Sequence, residues 1–166
     1  MLGFLRRILR NISQETKTRA FNSLVRCCCT VWKPHQRSLI NKLEMVHRRA
    51  ARFVTNRYHN TSSVTDMLTS LEWLSLENRR QHLQLSMFFK IIHHLVDINK
   101  EDYLTPAPPR TRSPHNTRFL PYSTRSDTLK FSFFPRCIPL WNRLPATVAA
   151  AHSLASLKSV LSPLTF

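Results

Sequence analysis

Arginine and aromatic side chains alternate in two stretches of this chain. Arg37, Arg48, Arg49, Arg52 and Arg57, followed by Tyr58, form the first; Arg110, Arg112, Arg118, Phe119, Tyr122 and Arg125 form the second. A guanidinium presents a rigid fork of donors that matches phosphate oxygens, and an aromatic ring offers a face on which a planar base stacks. The pattern implies contact with a phosphate backbone, with occasional stacking, and RNA or DNA as the expected partner. Solvating two helices and a loop would also use charged residues, but it does not require one sign. This chain of 166 residues carries 25 Lys+Arg against 9 Asp+Glu, a formal net charge of +16. The candidate phosphate contacts are Arg37, Arg48, Arg49, Arg52, Arg57, Arg110, Arg112 and Arg118. If four of them rest on duplex phosphates, the logarithm of affinity falls against the logarithm of salt concentration with a slope of about −3.6.

Other chemistries lack their residues. Two-metal nucleotidyl transfer needs carboxylates close enough to hold both ions, yet the four aspartates, Asp66, Asp97, Asp102 and Asp127, are scattered and never adjacent. The nine acids show no spacing that selects a glycosidase-like pair. Cys27, Cys28, Cys29 and Cys137 contain no C-x-x-C pair, and three consecutive cysteines cannot all face one metal from regular backbone. They read as small apolar residues in a reducing compartment. His93 and His94 are neighbours that diverge on a helix, so the eight histidines read as half-exposed side chains rather than ligands. Glycine occurs once, at Gly3, which removes the phosphate-binding loop and the dinucleotide fingerprint; a G-x-S-x-G elbow is also absent. No metal and no cofactor is expected.

The elements that must position the arginines are helical. Residues 1–57 hold 13 basic and 2 acidic residues, residues 58–104 hold 4 and 6, and residues 105–166 hold 8 and 1, so two positive flanks enclose a near-neutral apolar middle. The clearest helix runs from about His35 to Asn56, where Leu39, Leu43, Val46, Ala50 and Phe53 recur at intervals of four and three. Arg37, Asn41, Glu44, Arg48 and Arg52 line the opposite face. Glu44 precedes Arg48 by four residues, the favourable order for an exposed pair, which leaves Arg37, Arg49 and Arg52 available to a ligand. Thr61 to Ser63 caps a short helix with Val64, Met67, Leu68 and Leu71 inside, and Ser75 caps a longer one reaching Val96. Between Leu83 and Val96 that helix is apolar around most of its circumference, which suits the centre of a bundle.

From Thr105 to about Leu120, Pro106, Pro108, Pro109 and Pro114 alternate with arginines and no apolar period survives, so this reads as a linker or basic loop. Ser126 to Phe134 is expected to hold a short strand. Pro135 suits the first turn of a helix running toward Trp141, which Pro139 should disturb early, and Ser153 caps a last short helix. The expected fold is mainly α: a small helical bundle with a proline- and arginine-rich loop and an irregular C-terminal segment. Its organisation reads as a basic helical region over 1–104, the loop over 105–125 and a tail over 126–166.

No run reaches the apolar length of a membrane span, and the N-terminus lacks the features of a secretory signal, so an intracellular protein of nucleus or cytoplasm is expected. Leu5, Ile8, Leu9 and Ile12 share a helical face with Arg6, Arg7 and Arg10 around them, a pattern common to transit peptides and membrane-surface helices. Phe21, Leu24 and Val25 extend it in a second helical stretch, which favours a helix docked on the rest of the protein over mitochondrial targeting.

Six blocks occur in one order: LGFLRR (Leu2 to Arg7), SQETKTRAF (Ser13 to Phe21), INKLEMVHRRAARFVTN (Ile40 to Asn56), TSSVTDML (Thr61 to Leu68), YLTP (Tyr103 to Pro106) and FFPRCIPLWNRLP (Phe133 to Pro145). Together they closely resemble the C-terminal end of the reverse transcriptase polyprotein of non-LTR retrotransposons of the jockey-like, LINE type. The resemblance spans nearly the whole chain and implies a position downstream of the catalytic palm, in the thumb and the tail beyond it. The family's polymerase motif, an aromatic followed by Ala-Asp-Asp, has no counterpart here, so its RNA-directed DNA polymerase activity does not carry over. Thumb helices of reverse transcriptases hold the template and primer duplex, and by similarity the helix bearing Arg48, Arg49 and Arg52 would do so. The chain departs from the family where Leu24, Val25 and Arg26 run directly into Cys27, without the proline and the glutamate-tyrosine pair that members carry. A deletion there, inside a helix, rotates all that follows. The expectation is a truncated, noncatalytic element copy with affinity for RNA or DNA; the alternative is a helical protein-interaction or structural module without a nucleic-acid role.

Overall fold

A chain with one glycine must end its helices on other residues. In the computed structural model, which describes residues 2–24, 34–59, 61–108 and 115–162, Asn56, Glu72 and His94 take positive φ values of 56°, 53° and 53°. Asn56 follows the longest helix, and its N–H bonds the Arg52 carbonyl. Left-handed backbone is costly for a residue with a Cβ, and asparagine tolerates it best of the three.

The described residues form nine α-helices: α1 (Leu2–Ile8), α2 (Gln14–Leu24), α3 (Arg37–Thr55), α4 (Val64–Ser70), α5 (Leu76–Ile92), α6 (Asp127–Lys130), α7 (Phe133–Asn142), α8 (Ala146–Ala149) and α9 (Leu154–Leu161). A 3-10 turn spans Lys100–Asp102, and the one β pairing among the described residues is an isolated antiparallel bridge between Pro106 and Phe119. The fold is mainly α. The chain divides into two compact units, Met1–Arg80 and Gln81–Phe166, with the division inside α5.

The first unit closes around Phe21, Ala50, Ala51, Phe53, Val54, Met67 and Trp73, with Leu2, Leu9, Leu68 and Leu71 packed against them. Its α3 is rotated from the face read in the sequence. Leu39 is exposed, whereas His47 is fully buried. The reason lies in the rings beside it: the His47 imidazole stacks on Trp73 at 5.2 Å and on Phe21 at 5.9 Å, and its Nε2 bonds the Leu74 carbonyl oxygen at 3.2 Å. A ring that stacks and finds a polar partner can enter a core that an unsatisfied imidazole could not. Lys17 is buried as well, its ammonium 5.1 Å from the centre of the Phe53 ring. Ser63 and Ser75 cap α4 and α5 as expected, accepting the N–H groups of Asp66 and Asn78 at 3.3 and 3.1 Å. The α1 helix docks through Leu5 and Leu9, but Ile8 and Ile12 stay exposed.

The second unit packs Leu85, Phe88 and Phe89 of α5 against Cys137, Ile138 and Trp141 of α7 and against Leu157 and Leu161 of α9. The α5 helix ends at Ile92, four residues short of the expected end, and Leu95 is exposed. The expected strand over Ser126 to Phe134 is absent. Ser126 instead accepts the Leu129 N–H and opens α6, with Asp127 in the first turn, where a helix favours an acid. Pro139 does not interrupt α7: Cys137, Ile138 and Trp141 are buried around it, and that packing holds the turn whose hydrogen bond proline removes.

The proline-rich segment is tied at both described ends. Ala107 N–H bonds the Arg118 carbonyl and Leu120 N–H bonds the Thr105 carbonyl, both at 2.9 Å. The Asn142 side chain clamps the Phe119 backbone, accepting its N–H at 3.1 Å and donating to its carbonyl at 2.8 Å. His115, buried, contacts Thr117 Oγ1 through Nδ1 and the Trp141 carbonyl through Nε2, while Trp141 Nε1–H donates to the Thr117 carbonyl at 2.8 Å.

Candidate nucleic-acid interface

Arg48 and Arg49 are exposed and Arg52 half-buried on the last two turns of α3. Cations at this end favour the helix through its dipole, which accounts for their presence there without a ligand. What the dipole does not account for is how the chain continues. Past Asn56 it folds back so that the Arg57 N–H bonds the Arg52 carbonyl at 3.2 Å, which holds Arg57 beside the last helical turn. Tyr58 follows, half exposed, and the Arg6 guanidinium of α1 lies over its ring, 5.6 Å from the centroid. Arg52, Arg57, Tyr58 and Arg6 are thereby brought to one end of α3, with Arg48 one turn away.

Among the described residues no carboxylate lies within ion-pair distance of these side chains. The ion pairs within 4 Å among the described residues that bear on this unit are Arg19 with Glu15, at 2.6 Å, and Arg37 with Glu77, at 3.1 Å. The second corrects the sequence reading, in which Arg37 was available to a ligand: its Nη1 donates to both Glu77 carboxylate oxygens. The expected Glu44–Arg48 pair is also replaced. Glu44 Oε1 accepts the Glu77 N–H at 2.9 Å, because the start of α5 presents an orphan amide to it. Arg48 is left without a carboxylate.

Arg118 is half-buried, in the second unit, and its carbonyl serves the pairing with Ala107. Arg110 and Arg112 lie outside the described residues, as do Cys27, Cys28 and Cys29. The sequence reading missed Arg6 as a member of the cluster. Its partner Tyr58 is more than fifty residues away, and no local pattern links them. Among the described residues no three His, Cys, Asp or Glu side chains converge as metal ligands, and no helix is long and apolar enough to cross a membrane.

The arrangement can neutralise several phosphates at once and offers one aromatic edge beside them. Comparison with protein-family models, with curated proteins and with solved structures gives no match to this chain.

Proposed function

We propose that the chain is a noncatalytic helical relative of the reverse transcriptase thumb and tail, and that it binds RNA or DNA through phosphate contacts at the C-terminal end of α3. The observation that carries this reading is the Arg6 guanidinium over Tyr58 next to the end of α3, where Arg57 bonds back to Arg52 and Arg48 and Arg49 lie one turn earlier, with no carboxylate among the described residues paired to any of these arginines. A cluster of like charges raises the energy of the folded chain unless an anion relieves it, and a phosphate backbone does so at several points together. The ordered blocks that resemble those of non-LTR reverse transcriptases support the same partner. The polymerase carboxylates have no counterpart here, so the role is binding.

The test is titration of a fluorescent RNA–DNA duplex with the full chain over a salt series. Contacts from Arg48, Arg49, Arg52 and Arg57 give a log–log slope of about −3.6, and a fifth from Arg6 steepens it to about −4.5. Absence of binding to any RNA or DNA in dilute buffer, or salt-insensitive association with an acidic protein in its place, removes the reading.

A further inference from the structure

Tyr103, the first residue of the YLTP block, is absent from the candidate phosphate contacts, yet its ring is stacked and its main chain held in the second unit. Its ring lies nearly parallel to that of Phe134, with centroids 4.6 Å apart and planes inclined by 8°. Phe134 is half-buried and meets Phe133 edge-on at 5.2 Å. One face of Tyr103 is therefore covered by a ring that is itself supported, while the residue as a whole remains 45% exposed. Phe134 covers one face, and the 45% exposure leaves the residue open to a second planar group.

The backbone that carries this ring is fixed from both sides. Tyr103 N–H bonds the Lys100 carbonyl at 3.1 Å, its carbonyl accepts the Tyr122 hydroxyl at 2.5 Å, and the next residue, Leu104, is buried in the core. Tyr122 belongs to the segment that pairs with Thr105 and Ala107 and that Asn142 clamps. These bonds fix the main chain that carries the ring, and a platform fixed beforehand loses little entropy when a planar ligand stacks on it.

We propose that the outer face of Tyr103 is a stacking platform for an unpaired base of single-stranded RNA or DNA, backed by Phe134 and positioned by Tyr122. The proposal rests on the nucleic-acid reading above and adds to it a second contact of different chemistry, in a different unit. Bases of every kind have a π-face, so stacking suits a partner read without sequence preference. Arg125, exposed, follows Tyr122 by three residues, and the stretch from Thr105 onward carries 8 basic residues against 1 acid. Glu101 and Asp102, exposed on the turn immediately before Tyr103, repel phosphate, so the strand's backbone runs away from that turn.

The experiment uses the full chain and three fluorescent probes: an unstructured oligothymidine, an abasic oligonucleotide with the same number of phosphates, and a duplex. Tyr103→Leu is expected to weaken oligothymidine binding by about 5- to 100-fold while leaving the abasic strand and the duplex unchanged; Tyr103→Phe, which keeps the ring, is expected to bind like the parent. Equal affinity of parent and Tyr103→Leu for oligothymidine overturns the platform even if duplex binding persists. An equal loss on the abasic strand also overturns it, because the effect is then not stacking. If the parent chain binds none of the three probes, the phosphate reading fails and the platform falls with it.

Discussion

Glu44 in α3 accepts the backbone N–H of Glu77 in the first turn of α5, at 2.9 Å across 33 residues of sequence. The same Glu77 side chain receives both hydrogen bonds from Arg37. Three residues thus tie the start of α5 to α3, and their contributions differ. The Arg37–Glu77 pair is largely solvated, so Arg37→Ala is expected to cost roughly 0–1 kcal/mol. Glu44→Ala leaves an orphan amide at a helix start and removes a charge favourable to the dipole, a loss of about 1–2 kcal/mol. Urea denaturation of both variants checks the ranking. Neither change should alter duplex affinity by more than a few-fold, because neither side chain belongs to the Arg52–Arg57–Arg6 cluster.

The cation–π contact of Arg6 with Tyr58 holds α1 against the segment that follows α3. At an exposed site such a contact stabilises by about 0.5–1 kcal/mol. Tyr58→Leu is therefore expected to leave the fold intact while loosening α1. Faster hydrogen exchange at the Leu9 amide, which bonds the Leu5 carbonyl at 2.8 Å, reports that loosening. Arg6→Ala should in addition make the salt slope of duplex binding shallower by about 0.9 if its guanidinium meets one phosphate. An unchanged slope would place Arg6 outside the interface and leave it a purely structural residue.

Helices were legible in the sequence where serine caps preceded apolar periods: Ser63, Ser75 and Ser153 each accept an amide as expected. The face of α3 was not: the histidines read as half-exposed, but His47 is fully buried, and its stacking on Phe21 and Trp73 is what makes that burial favourable. The reading of Ser126 to Phe134 as a strand failed for a related reason. Its aromatic residues carry β propensity, but the cap at Ser126 and the burial of Cys137, Ile138 and Trp141 decide in favour of helix. At the candidate interface, α3 and its arginines could be read from spacing. Partner choice could not: Glu77 takes Arg37 and Glu44 from other candidates through contacts between distant residues, and the Arg6–Tyr58 pair is equally nonlocal.

Asn142 offers a sharper test of the second unit. Both of its amide atoms engage the Phe119 backbone, so Asn142→Ala strands a partly buried N–H and a carbonyl together. A loss of about 1–3 kcal/mol is expected. Asn142→Asp keeps the acceptor for the Phe119 N–H but cannot donate to the carbonyl, and should fall between Asn142→Ala and the parent. Exchange at the Ala107 and Leu120 amides, which close the pairing around the clamp, should accelerate in the same order.

His93 gives the fold a pH dependence whose sign is fixed. Its ring lies 4.0 Å from that of Phe89 at the end of α5. Partial burial, followed in weight by the charges of Lys100, His152 and His94, holds its imidazole below the ordinary value. Lys100 also donates to the Ile92 carbonyl at 3.3 Å, so that cation is anchored at the same helix end. A depressed pKa means that the unfolded chain takes up its proton first as pH falls. The stabilisation is fully present above the unfolded value of about 6.5 and is lost as pH drops from there through the lower folded value. Thermal melts across this range should show stability declining toward acid, and His93→Gln, which cannot take the proton, should flatten part of the decline. Lys100→Met acts on the second contributor and should make the decline smaller and end it at a higher pH, because removing the neighbouring charge lets His93 protonate in the folded state closer to its ordinary value. A decline that is identical in the parent and both variants would assign the acid sensitivity to other groups.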